Sequence, residues 1–205
     1  MISTEDRIVN EAGELFFRHG IRTITMDDIA SKMAISKKTI YQYFEDKDML
    51  VKSFAQKALT TQLEEMHTIR KQSEDAIDEI MKTMTHLGIF LNRVNPAFFL
   101  DMQKHHPSTW NMFRIFREKE LVQFVEDNLR RGIKQGLYRE NLKVKILARM
   151  RLEESEMGFN QDIFPPQHFN VVDVQITMLD HFLHGILSLK GLKLLSKYQL
   201  LSKEN

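Results

Sequence analysis

Lys38, Thr39 and Gln42 are side chains able to read the edge of a base pair. Lysine can donate to guanine O6 and N7, glutamine can pair with adenine N6 and N7, and threonine offers a hydroxyl and a methyl. All three fall in the run Ser36-Lys37-Lys38-Thr39-Ile40-Tyr41-Gln42-Tyr43-Phe44. If that run is helical, at about 100° per residue, Ile40 and Phe44 form an inward apolar pair. Gln42 then lies opposite them, Lys38 and Thr39 lie well round towards solvent, and Tyr41 and Tyr43 flank the face. Tyrosine hydroxyls, and Lys47 at the next helix start, suit phosphate oxygens, which fix register without reading sequence. A short helix with outward lysines is by itself only a solvated surface. What points to duplex DNA is the set of elements around it.

Thr25 precedes Asp28 by three residues, the spacing of a capping box, so a helix is predicted over Met26 to Met33. Ala34 and Ile35 make the turn, and the Ser36 hydroxyl can cap a second helix over Lys37 to Phe44. Asp46 can cap a third, carrying Leu50, Phe54 and Ala58 at core spacing and running as far as Met66. Ahead of these, Thr4 to His19 places Ile8, Ala12, Leu15 and Phe16 on one helical face and is stopped by Gly20.

This ensemble resembles the amino-terminal domain of the tetracycline-repressor (TetR) family of bacterial transcription regulators. The resemblance covers residues 4 to 52. It rests on Ala12, Leu15, Phe16, Gly20, Thr23, Thr25, Ile29, Ala30, Ser36, Thr39, Ile40, Tyr41, Tyr43, Phe44, Lys47 and Leu50, in register and without gaps. Two positions depart from it. The turn reads Ala34-Ile35-Ser36 where the family usually has Gly-Val-Ser, and Lys38 stands where the family often has a small residue. The first bears on turn geometry, because glycine tolerates a positive φ and alanine does not. The second bears on which operator is read. The DNA contacts expected on this basis are Thr25, Ser36, Lys37, Lys38, Thr39, Tyr41, Gln42, Tyr43 and Lys47.

The 205 residues are 42% hydrophobic and 28% charged with a net charge of +1, so any DNA binding must come from a local patch. There is no cysteine, which excludes disulfides, thiolate metal sites and cysteine nucleophiles and fits a reducing cytoplasm. No signal-peptide pattern opens the chain, and no apolar run reaches the ~18 residues of a membrane span. A cytoplasmic protein is expected.

With 8 Gly and 4 Pro the chain reads as all-α. We expect a three-helix helix-turn-helix domain over residues 1–52 and a helical effector-binding and dimerisation domain over 53–205. Helices are predicted over Asp75 to Asn92, Ala97 to His105, Ser108 to Lys134, Lys143 to Phe159 and Val172 to Lys190, punctuated by Pro96, Pro107 and Pro165-Pro166. Large apolar side chains in the middle fill a core first. The family resemblance adds that Phe90, Phe98, Met102, Trp110, Phe113 and Phe116 line part of a pocket for a small, largely apolar effector. It also implies that the last two predicted helices form a dimer interface, with Met150, Met157, Met178, Phe182 and Ile186 as its candidates. A two-fold dimer would double the contacts on a palindromic operator.

His181 and His184 stand three apart but lack an evident third ligand, and no Ser/His/Asp ordering, phosphate-cradling loop or HExxH appears. Neither an enzyme nor a metal or cofactor carrier is expected. The chain thus reads as a homodimeric, ligand-responsive repressor of a palindromic operator in double-stranded DNA. A DNA-bound structural or protein-recruiting factor without an effector is the alternative.

Overall fold

A computed structural model describes residues 2–95 and 97–201, so Pro96 lies outside the described residues. The helices in chain order are α1 (Thr4–His19), α2 (Met26–Met33), α3 (Lys37–Tyr41), α4 (Lys47–Gln72), α5 (Ala76–Arg93), α6 (Ala97–His105) and α7 (Pro107–Phe116). A π-helical turn (Arg117–Leu121) leads into α8 (Val122–Lys134), followed by α9 (Val144–Met157), α10 (Val171–Ile186) and α11 (Leu189–Leu201). No β-strand forms among the described residues, and the fold is all-α. Contacts divide the chain into one unit of residues 1–64 with 92–116, and a second of 65–91 with 117–205.

In the first unit α1 is capped at both ends. Ser3 Oγ accepts from the Asp6 amide at 3.0 Å, and the Gly20 amide closes α1 on Phe16 O at 2.9 Å. Ile8, Ala12, Phe16, Ile21, Ile29, Ile40 and Leu50 are fully buried. Removing such side chains from water is the main favourable term holding this small helical unit together. Three rings tie α1, α4 and α6: Phe17 lies 5.0 Å from Phe54 and 4.9 Å from Phe98, edge to face in both pairs. Asp101 of α6 accepts from the Arg22 amide at 2.9 Å, fixing α6 to the loop between α1 and α2.

The second unit has its own core, with Ile77, Leu129, Tyr138, Ala148, Leu183 and Ile186 at its centre. Within it the buried Tyr138 hydroxyl donates to Asn128 Oδ1 at 3.0 Å, and Asn128 Nδ2 donates to Ala76 O at 3.0 Å. Arg131 satisfies the carbonyl of Ser73, just past α4, at 2.8 Å and the buried Glu79 carboxylate at 2.9 Å. Burial pushes the Glu79 carboxyl above its usual range, against the pull of Asn128 and Arg131.

Four element boundaries differ from the expectation. The reading helix stops at Tyr41 instead of Phe44, because the Tyr43 and Phe44 amides both turn back to Ile40 O. The helix after it runs on to Gln72, past Met66. The stretch expected as one helix over Ser108 to Lys134 carries the π-helical turn in its middle. The last predicted helix ends at Ile186, where Leu187 bridges Tyr138: Arg139 N donates to Ile186 O and Ser188 N to Leu137 O, both at 2.9 Å. Ser188 then caps α11, its hydroxyl accepting from the Gly191 amide at 3.1 Å.

Candidate nucleic-acid interface

The short helix α3 is held on three sides by chemistry local to the first unit. At the start of α2, Thr25 Oγ1 accepts from the Asp28 amide at 3.2 Å while Asp28 Oδ2 accepts from the Thr25 amide at 2.8 Å, which completes the capping box. The Thr25 hydroxyl and amide hold the Asp28 carboxyl below its usual pKa. At the end of α2, Ala34 adopts φ 53° and ψ 40°, the left-handed region. Ile35 N donates to Ala30 O at 3.1 Å and Ala34 N to Ser31 O at 3.2 Å, the paired bonds of a Schellman turn. The turn therefore keeps the geometry that glycine favours, although alanine occupies it.

Ser36 Oγ accepts from the Thr39 amide at 3.0 Å and shares a hydrogen bond of 2.8 Å with the Thr39 hydroxyl. Ile40 and Phe44 are buried, as the angular reading requires, and anchor the helix on the core. Lys38, Tyr41, Gln42 and Tyr43 are exposed and Thr39 is half-buried. Helical geometry persists one residue past the formal end, with Gln42 at φ −70° and ψ −22°. Gln42 thus keeps the direction expected of it even though α3 is only five residues long.

The candidate residues divide by what they touch. Thr25 and Ser36 serve first as caps. The Lys37 ammonium sits 3.0 Å from the Asp27 carboxylate and 5.9 Å from the centre of the Tyr41 ring, and Asp27 raises its pKa. The Lys38 ammonium makes no ion pair or hydrogen bond among the described residues, and the side chain stands with Gln42 on the outer surface. Lys47 is half-buried at the start of α4; burial lowers its pKa, opposed by Asp101, Asp48 and Asp28. Asp46 Oδ1 caps that helix through the Met49 amide at 2.8 Å.

Two groups in this neighbourhood were not found from the sequence. His106 is buried with Nδ1 2.9 Å from Asp48 Oδ1, close enough for an ion pair but off the axis of a hydrogen bond. Asp101 supports the loop ahead of α2. Asp101 on α6 and His106 at the junction of α6 and α7 both lie far along the chain, and no local pattern ties them to the reading helices.

The remaining candidates are dispersed. Phe98 and Met102 are buried in the first unit, Phe98 within its ring cluster, while Trp110 stacks on Phe113 at 5.3 Å. Phe116 ends α7 in the same unit, and Phe90 lies on α5 in the second. Met150 and Met157 are exposed on α9, alongside Ile146, and Ile176 is exposed on α10. Phe182 and Ile186 are 4% and 1% exposed, packed inside the second unit's own core. Met178 is half-buried beside them. No described helix is long and apolar enough to cross a membrane.

Residues 8–54 match the description of bacterial regulatory proteins of the tetR family. The chain is 21% identical over 184 residues, 89% of its length and 95% of the relative's, to the HTH-type transcriptional regulator YvaF of Bacillus subtilis (strain 168). Among solved structures it is similar to a transcriptional regulator from Cytophaga hutchinsonii, with 20% identity, a TM-score of 0.72 and coverage of 89% of this chain and 98% of that one. It is similar as well to the regulator FadR of Bacillus subtilis in complex with stearoyl-CoA, with 17% identity, a TM-score of 0.62 and coverage of 88% and 98%.

Proposed function

The chain belongs to the tetR family of bacterial regulatory proteins, and from that premise we propose that it is a homodimeric transcriptional repressor of a palindromic operator, released by a small, largely apolar effector. The observation that carries DNA reading is the split of α3. Ile40 and Phe44 are buried, and Lys38 and Gln42 stand outward with Tyr41 and Tyr43 beside them. Lys38 and Gln42 supply base-edge donors and acceptors, and Tyr41, Tyr43 and Lys47 supply backbone contacts.

Dimer formation is supported by the apolar surface that α9 and α10 leave exposed. Ile146 is 65%, Met150 42%, Met157 41% and Ile176 44% accessible, more large apolar side chain than helices of a monomer usually present together. A two-fold pairing of that surface would set two copies of α3 on successive half-sites. An effector works by population shift: it binds a non-reading arrangement more tightly and so lowers operator affinity. The FadR structure with stearoyl-CoA supports a fold able to hold a ligand with a long acyl chain.

The test is selection of bound duplexes from a random pool, followed by light scattering of the complex. The expected result is a two-fold symmetric consensus bound by two chains. A non-symmetric consensus, or one chain per site, would count against the dimeric reading. Retained affinity for the selected site after Lys38→Ala, Gln42→Ala and Tyr43→Ala combined would overturn the roles given to α3.

A further inference from the structure

Along α9 the side turned into the second unit runs through Leu147, Ala148, Arg151, Ser155 and Gly158. Ala148 is fully buried in the core with Leu147 packed against it. Two turns further on, Gln175 of α10 donates to Ser155 O at 2.7 Å, and a β-carbon on Gly158 would meet Gln175 and Met178. The inward position between these two contacts is Arg151, where the stripe calls for an apolar side chain. It is 8% exposed, and its Nη1 is buried with no hydrogen-bond partner.

No acid among the described residues forms an ion pair with it. Glu153 and Glu156, on the same helix, both pair with Arg117. Glu154 is the one carboxylate that raises the Arg151 pKa against burial, yet it forms no ion pair with it, and its own Oε2 is buried and unpartnered. A guanidinium stays charged at any working pH, and a buried charge without a partner is strongly unfavourable. A partner that the chain itself does not supply would remove that penalty.

We propose that Arg151 anchors the anionic head of a small ligand within the second unit, the ligand being an organic acid with an apolar body. The guanidinium presents a planar pair of donors, matched to a carboxylate or to two oxygens of a phosphate. The apolar side chains available to the body are the partly buried Leu147, one turn before Arg151, and Met178, which lies against Gly158. This deepens the effector reading and rests on it only for the consequence at the operator.

The experiment uses the full chain, with thermal unfolding and calorimetric titration against decanoate, decyl phosphate and decanol below micelle-forming concentrations. Decanoate or decyl phosphate should raise the melting temperature saturably and decanol should not; comparing the two acids tells a carboxylate from a phosphate head. Arg151→Met keeps the length and apolar character of the stem, and is expected to fold at least as stably as the parent because an unpaired buried charge is gone. It should weaken binding of the acids by at least about tenfold, with Arg151→Lys in between. Equal shifts from decanol, no shift from either acid, or undiminished acid binding by Arg151→Met would overturn the proposal. Operator release in the same titration separates the two levels. Acid binding through Arg151 without release supports the site and counts against the effector reading, whereas release that is undiminished in Arg151→Met overturns the site and leaves the effector reading standing.

Discussion

The carboxylate of Asp27 in the first turn of α2 holds the ammonium of Lys37 in the first turn of α3 at 3.0 Å. Both side chains are well exposed, so the pair adds little to stability, but it commits the Lys37 charge to its own domain. Lys37→Ala is therefore expected to leave the salt dependence of operator binding unchanged, whereas Lys47→Ala should flatten it by about one unit. Plots of log affinity against log salt check both. A slope loss of about one unit in Lys37→Ala would return that residue to the phosphate contacts.

Ala34 sits at φ 53°, a conformation in which a β-carbon is crowded. Ala34→Gly should raise stability by about 1 kcal/mol, the relief of left-handed strain outweighing the extra freedom glycine gives the unfolded chain. Urea unfolding measures it. Destabilisation would mean that the turn between α2 and α3 is not left-handed in solution.

These local features were legible because they are written in adjacent residues. The capping box at Thr25, the cap at Ser36 and the inward pair Ile40 and Phe44 each depend on spacings of three or four. The end of α3 was misjudged because periodicity continues through Phe44 while the backbone already turns at Gln42, whose φ and ψ remain nearly helical. The break at Ile186 was invisible for another reason. Leu187 leaves the helix to bridge Tyr138, a partner almost fifty positions earlier, and nothing around Leu187 in sequence announces it. The burial of Phe182 and Ile186 in the second unit's own core was hidden likewise: an apolar stripe does not say whether its cover is this chain or a second copy. His106 and Asp101 reach the reading domain only through the fold.

Gly13 of α1 backs onto Phe54 of α4 so closely that a β-carbon there would lie 2.2 Å from the ring. Gly13→Ala should improve helix propensity yet destabilise the first unit by about 1–2 kcal/mol net, because a packed ring cannot yield that space without strain. Pairing it with Phe54→Leu should cost less than the sum of the two single changes, since the smaller side chain gives room for the methyl. A double-mutant cycle from thermal unfolding checks this. Additive costs would mean that the two sites do not touch.

His106 makes the first unit sensitive to acid. Burial lowers its pKa below the ordinary 6.5, Lys47 and His105 push in the same direction, and Asp48 opposes them. In the unfolded chain the imidazole takes up a proton near its ordinary pKa, while in the folded chain it resists until the pH is lower. Below about 6.5 the unfolded state therefore binds more protons, and stability must fall as pH drops through the interval between the two values. Above it the imidazole is neutral in both states and contributes no pH dependence. His106→Gln, which carries no titrating group, should flatten the stability profile between pH 7.5 and 5.5 relative to the parent. Asp48→Asn should steepen it, because the carboxylate that favours the charged imidazole is gone and the folded pKa falls further. Thermal unfolding of the three proteins across that range decides the matter, each compared with itself at pH 7.5. Parallel profiles for the parent and His106→Gln would show that the imidazole is as accessible to protons in the folded chain as in the unfolded one.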